Sequence, residues 1–151
     1  MLGRIEKGSC TALVTGGGSG IGKELARQLA RRGFNLLLVS RNAERLSAAA
    51  DEIKAQYGVE VNYYSIDLAV QDSAYRLHDY CREQGYVIDL LVNDAGMFIY
   101  NDVLKCDTRR IEDILNLHVV TLTLMCRLFG EDMAARGCGW ILNLASYSKW
   151  M

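Results

Sequence analysis

The stretch "TGGGSGIGKEL", residues 15–25, lies between a short apolar run and a segment of helical period. Two phosphate-binding templates compete for it. The first, GxxxxGK[ST], is met in part by Gly17 and Gly22-Lys23. It fails at Glu24, where the template needs a hydroxyl to hold magnesium and where a carboxylate would repel phosphate. The second is a dinucleotide loop. Gly16, Gly20 and Gly22 give a GxxxGxG spacing rather than GxGxxG. The physics is shared: glycines permit the tight turn and let backbone N–H groups approach a pyrophosphate at a helix N-terminus. A glycine-rich turn alone is weak evidence, since many are merely tight turns. Its place after a first strand makes it stronger.

Outward from this loop, apolar runs and helical segments alternate. "CTALVT" (10–15), "NLLLVS" (35–40), "VEVNYYSI" (59–66), "VIDLLVN" (87–93) and "WILNLA" (140–145) read as strands. Residues 19–33, 42–57, 70–84 and 108–136 carry helical patterns. Asn42 is a plausible N-cap and Gly58 a plausible stop for the second helix. This order predicts an α/β fold: a doubly wound parallel sheet (Rossmann fold) of about five strands, with helices on both faces. Ligands should bind at the carboxyl ends of the strands. Residues 1–151 read as a single domain without linker or repeat.

Composition narrows the function. Half of the 151 residues are hydrophobic, 23% are charged and the net charge is −1. Bulk charge therefore points to neither nucleic acid nor an anionic membrane. No run of about 18 apolar residues is evident, so no membrane span is expected. The first ten residues lack the apolar core of a secretory signal. Five scattered cysteines without a CxxC pair suggest reduced thiols in a cytoplasmic protein. With His78 and His118 the only histidines, no metal site is expected.

Thr15-Gly16-Gly17-Gly18-Ser19-Gly20-Ile21-Gly22 resembles the TGxxxGIG loop of the short-chain dehydrogenase/reductase family. Asn93-Asp94-Ala95-Gly96 is similar to that family's NNAG, with Asp94 replacing the second asparagine. Asp67-Leu68 resembles its adenine-contacting pair. The resemblance runs through the whole chain. It implies an oxidoreductase that interconverts a ketone or aldehyde and an alcohol by hydride transfer, and a homo-oligomer in the full-length form. Leu122, Met125, Phe129 and Met133 would lie on that family's dimer helix, although core packing explains their spacing equally well. A non-catalytic dinucleotide-binding or interaction module is the alternative.

The end of the second strand bears on the cofactor. An acidic residue there would bond a ribose 2′-OH and repel a 2′-phosphate. Ser40-Arg41 stands there instead, with Arg45 one turn on, and this favours NADP(H). Gly16, Gly18, Gly20, Ile21 and Gly22 would cradle the pyrophosphate side, and Ser19 would lie near the adenosine half. Asp67 and Leu68 would flank the adenosine, and Asn93, Ala95 and Gly96 the cofactor's ribose. Asp94 is expected to bond backbone amides that hold the central strands.

The resemblance implies a catalytic Asn, a Ser and a Tyr-x-x-x-Lys pair. Ser146 falls at the serine position, just past the fifth strand. Counting from Gly96 and from Ser146 puts the asparagine position at His118, with Asn116 as alternative. The two are about 200° apart on a helix, so both cannot face one site. Tyr147 and Lys149 are two apart rather than four and cannot serve as the pair. The chain contains no proline, and it stops before the pair is reached. The expectation is therefore an inactive N-terminal portion of a longer domain, incomplete at its C-terminal end.

Overall fold

The computed structural model describes residues 7–99 and 102–145. The first strand, β1 (Thr11–Thr15), leads through the glycine loop into α1 (Gly20–Arg31). β2 (Asn35–Ser40), α2 (Ala43–Tyr57), β3 (Val61–Ser65), α3 (Ser73–Glu83) and β4 (Leu90–Asn93) follow. A 3-10 turn (Val103–Lys105) precedes α4 (Thr108–Leu115). A π-helical segment (Asn116–Thr121) joins α4 to α5 (Leu122–Arg136), and β5 (Trp140–Asn143) comes last. The sheet order is β3-β2-β1-β4-β5, and every pairing is parallel.

Alternation along the central strands explains why these apolar runs form strands buried on both faces. Ala12, Val14, Leu36, Leu38, Leu90 and Val92 pack toward Ala26 and Ala30 of α1 and Leu46, Ala49 and Ile53 of α2. Leu13, Leu37, Val39 and Leu91 point the other way, onto Leu77 and Cys81 of α3 and Met125 and Phe129 of α5. The strand order turns back beside β1: β2 and β3 lie to one side, β4 and β5 to the other. A crevice opens at the carboxyl ends where the order reverses, as this topology requires.

Three sequence expectations change in detail. The fourth strand begins at Leu90 rather than at residue 87, and just before it the Asp89 carboxylate accepts from the Thr11 amide at 2.8 Å. The 108–136 segment is a continuous helix, but its turns widen between Asn116 and Thr121. That helix is also long and apolar enough, by length and composition, to cross a membrane, contrary to the expectation that no such segment exists. Here it lies along the sheet. Leu117, Thr121, Met125, Phe129 and Met133, spaced four apart, form its buried stripe. The apolar spacing of Met125, Phe129 and Met133 therefore serves the core. Leu115, Val119 and Val120 remain exposed.

Among the described residues, β5 pairs with β4 alone, in register from Leu90–Trp140 to Asn93–Asn143. Trp140, Ile141 and Leu142 are 46%, 38% and 45% exposed, although their composition is that of a covered strand.

Candidate dinucleotide cleft

The carboxyl ends of β1, β2 and β4 and the loop after β3 bound a groove of about 210 Å³. Gly16, Gly18 and Ser19 form its floor, Ser40, Arg41 and Arg45 one end, and Asp67 and Leu68 one wall. Ala95, Gly96 and Met97 form the opposite wall. Ten residues named from sequence thus converge: Gly16, Gly18, Ser19, Ser40, Arg41, Arg45, Asp67, Leu68, Ala95 and Gly96.

The loop conformation explains its glycines. Gly16 and Gly20 have φ of +72° and +57°, in the left-handed region. Gly18 has ordinary φ but is crowded: a Cβ there would lie 3.3 Å from Ser40 Oγ and 3.5 Å from Arg45 Cβ. The groove is kept open at this point by the absence of a side chain. This supports a phosphate-bearing ligand on the loop, because such a ligand needs close approach to backbone amides.

Arg41 is positioned by backbone contacts. Its carbonyl accepts a hydrogen bond from Ser65 Oγ at 3.0 Å. The next residue, Asn42, caps α2 by accepting from Arg45 N at 2.8 Å. The Arg41 guanidinium spans the groove mouth to Asp67, 3.8 Å away. Both partners are largely solvent-exposed, so this ion pair holds Arg41 only weakly. Asp67 also accepts from Ala69 N at 3.0 Å, which turns the chain after β3.

Gly20, Ile21, Gly22 and Asn93 do not line the groove. Ile21 projects into solvent, 66% exposed. Asn93 is buried and donates from Nδ2 to Asn143 Oδ1 at 2.8 Å and to Cys126 Sγ at 3.6 Å, tying β4 to β5 and α5. Gly22 is packed beneath the loop. A Cβ on it would lie 2.6 Å from both Asp94 Oδ2 and Gly16 O. Asp94 does not bond the strand amides as expected; its carboxyl accepts from the Gly22 N–H at the start of α1.

Those strand amides are held by Thr15, which the sequence reading passed over as part of the loop motif. Its hydroxyl accepts from Asp94 N and Ala95 N, both at 3.0 Å, and donates to Val92 O at 3.3 Å. The signal was a hydroxyl residue at the end of a β strand, placed against a sheet neighbour that bends away. Thr15→Val keeps the shape but strands two N–H groups. It should cost about 2–6 kcal/mol, at roughly 1–3 kcal/mol per orphaned donor, measured by denaturant unfolding. A loss below 0.5 kcal/mol would show that water or a shifted loop replaces the hydroxyl.

His118 lies in the π-helical segment, its ring against the 95–97 wall. A Cβ on Gly96 would sit 3.3 Å from its Cε1. Its Nε2 lies 3.1 Å from Met97 N and 3.0 Å from Met97 O. One ring nitrogen cannot accept and donate at once, so the tautomer or charge selects between the two. Neither His118 nor Asn116, half-buried two positions earlier, lines the groove itself. Thr121, also unnoticed in sequence, donates to Leu68 O at 2.8 Å and fixes the Asp67–Leu68 wall to the helix. Ser146, Tyr147 and Lys149 lie outside the described residues.

Residues 10–150 match a family model described as short chain dehydrogenase. A very-long-chain 3-oxoacyl-CoA reductase from Mycosarcoma maydis is 36% identical over 140 residues, covering 91% of this chain and 40% of that protein. Among solved structures, a short-chain dehydrogenase from Sphingobium yanoikuyae in complex with NADPH is 32% identical with a TM-score of 0.84. It covers 91% of this chain, which covers 54% of it. An L-sorbose reductase from Gluconobacter frateurii complexed with NADPH and L-sorbose gives 29% identity and a TM-score of 0.85, covering 95% of this chain and 54% of that one. The chain thus spans about half the length of the relatives it matches.

Proposed function

Because the chain belongs to the short-chain dehydrogenase family, we propose that its cleft binds NADP(H) for an enzyme that interconverts a ketone or aldehyde and an alcohol. The observation that carries the cofactor choice is the end of β2. Ser40, Arg41 and Arg45 meet there at the groove's end, and the only carboxylate facing Arg41 among the described residues is Asp67, across the mouth. A 2′-phosphate would find a hydroxyl and two cations, with the Arg41 fork able to make paired charge-assisted bonds. The NADPH complexes of similar structures support the same choice.

The glycine floor and the α1 N-terminus would hold the pyrophosphate. Asp67 and Leu68 would flank the adenine. When bound, the nicotinamide supplies the hydride chemistry. This chain contributes to orientation: Gly96 and Met97, backed by His118, form the wall on the β4 side. Ser146, following β5, is proposed to orient the substrate carbonyl, and His118 to take the position that the family gives to asparagine.

Equilibrium titration with NADPH and with NADH, followed by calorimetry, tests the cofactor reading. NADPH should bind at least about tenfold more tightly, the discrimination expected from one charge-assisted phosphate contact. Equal affinities, or preference for NADH, would remove the role given to Arg41.

A further inference from the structure

The N-terminus of α1 is unusual in how its charge is balanced. Ser19, at the N-cap, makes no side-chain capping bond, and the first turn holds no acidic residue. The backbone N–H of Lys23 is already bonded to Ser19 O at 3.2 Å. The balancing anion comes from another element. Asp94, just past β4, directs its carboxyl at the Gly22 N–H, and its Oδ2 is wedged where either Gly16 or Gly22 would otherwise carry a Cβ. The backbone N–H of Asp94 donates to Thr15 Oγ1 at 3.0 Å, which fixes the main chain from which the carboxyl projects.

We infer that Asp94 is an internal rival to the cofactor's pyrophosphate at the N-terminus of α1, so that dinucleotide binding is coupled to proton uptake by this carboxyl group. A carboxylate and a pyrophosphate on the same glycine loop repel one another over a short distance. Protonation removes the repulsion while leaving an oxygen to accept from Gly22. Burial already pushes the Asp94 carboxyl above the usual carboxylate range, although the Gly22 hydrogen bond pulls in the opposite direction. A second anion nearby raises it further.

The neighbouring charges do not neutralise Asp94. On α1, Lys23 turns to Glu52 of α2 at 2.7 Å. On the π-helical segment, His118 reaches Met97. At the far end of the groove, Arg41 faces Asp67. β1 contributes the uncharged Thr15. The sign follows: the bound state favours protonated Asp94, so affinity rises as pH falls through the range in which this carboxyl titrates.

This inference rests on the dinucleotide reading of the cleft, and the test separates the two. Calorimetry of the 151-residue chain with ADP-ribose is suitable. The probe has the pyrophosphate but no 2′-phosphate to titrate. The wild type should bind several-fold more tightly at about pH 5.5 than at about pH 7.5 and take up protons on binding. Asp94→Asn keeps an oxygen for Gly22 and loses the charge. It should bind roughly tenfold more tightly at about pH 7.5, with a flatter pH dependence and without the uptake, because the charge that opposes the pyrophosphate is gone. Unchanged affinity and an unchanged pH slope in Asp94→Asn would overturn the role of Asp94 and leave the cleft reading standing. Should that variant not fold, proton uptake by the wild type decides alone: zero uptake overturns the inference. ADP-ribose that binds neither protein would overturn the cleft reading and this inference together.

Discussion

Gly22→Ala should abolish dinucleotide binding and lower the melting temperature by roughly 10 °C. In an ordinary helix this change stabilises by about 0.5–1 kcal/mol, because alanine loses less backbone entropy than glycine. Here the new methyl would meet Asp94 Oδ2 and Gly16 O at 2.6 Å and Gly16 C at 2.7 Å. Two of these neighbours are backbone atoms of the loop, and the third belongs to a side chain whose own backbone is tied to Thr15. The two Gly16 atoms cannot move without opening the loop. Overpacking of this kind costs about 3 kcal/mol, which for a domain of this size is roughly 6–12 °C in Tm. Gly130→Ala in α5 is the matched control. Its Cβ would lie 3.6 Å from Ile141 Cδ1, an ordinary contact, so that variant should keep or slightly raise Tm. Scanning calorimetry of the pair, with NADPH titration of each, checks both halves. Equal behaviour of the two variants would show that the loop tolerates a side chain beneath it.

Arg41→Glu should weaken NADPH binding about 100-fold and leave NADH within a few-fold of the wild type. The reversal removes paired charge-assisted bonds and adds repulsion toward a 2′-phosphate, together worth about 2–3 kcal/mol. The loss to stability should be negligible, because the Arg41–Asp67 pair is exposed and 3.8 Å apart. The diagnostic quantity is the ratio of the two dissociation constants. If both cofactors weaken equally, Arg41 acts on the shared adenosine, and the 2′-phosphate assignment moves to Ser40 and Arg45.

Much of the architecture follows from patterns that are local in sequence. The apolar run at Asn35–Ser40 is too short for a core helix and too continuous for a half-exposed strand, which leaves a strand covered on both faces. Asn42 and Gly58 bracket α2 as capping chemistry requires: the former accepts from Arg45 N, and the latter has φ of +62°. Ten groove residues were legible because their loops follow strand ends, and chain order alone places those ends on one rim.

What local pattern did not carry was the partner of each polar group. Thr15 and Asp94 are 79 residues apart, and only the β1–β4 pairing makes the threonine hydroxyl the anchor of the second loop. The same pairing sends Asp94 to Gly22 and not to the strands. The hydropathy of 108–136 likewise could not say whether the helix lies in lipid, on a partner or on its own sheet. Its buried stripe is defined only once β4 and α3 lie beneath it. Sequence by itself determined the order of elements, the turns and the cleft's position, because those depend on periodicity and backbone freedom within a few residues. Tertiary structure alone decided which carboxyl stands beneath the glycine loop, which hydroxyl ties the sheet's halves and which face of the long helix is core. Those depend on distances between residues that the chain brings together only after the sheet has closed.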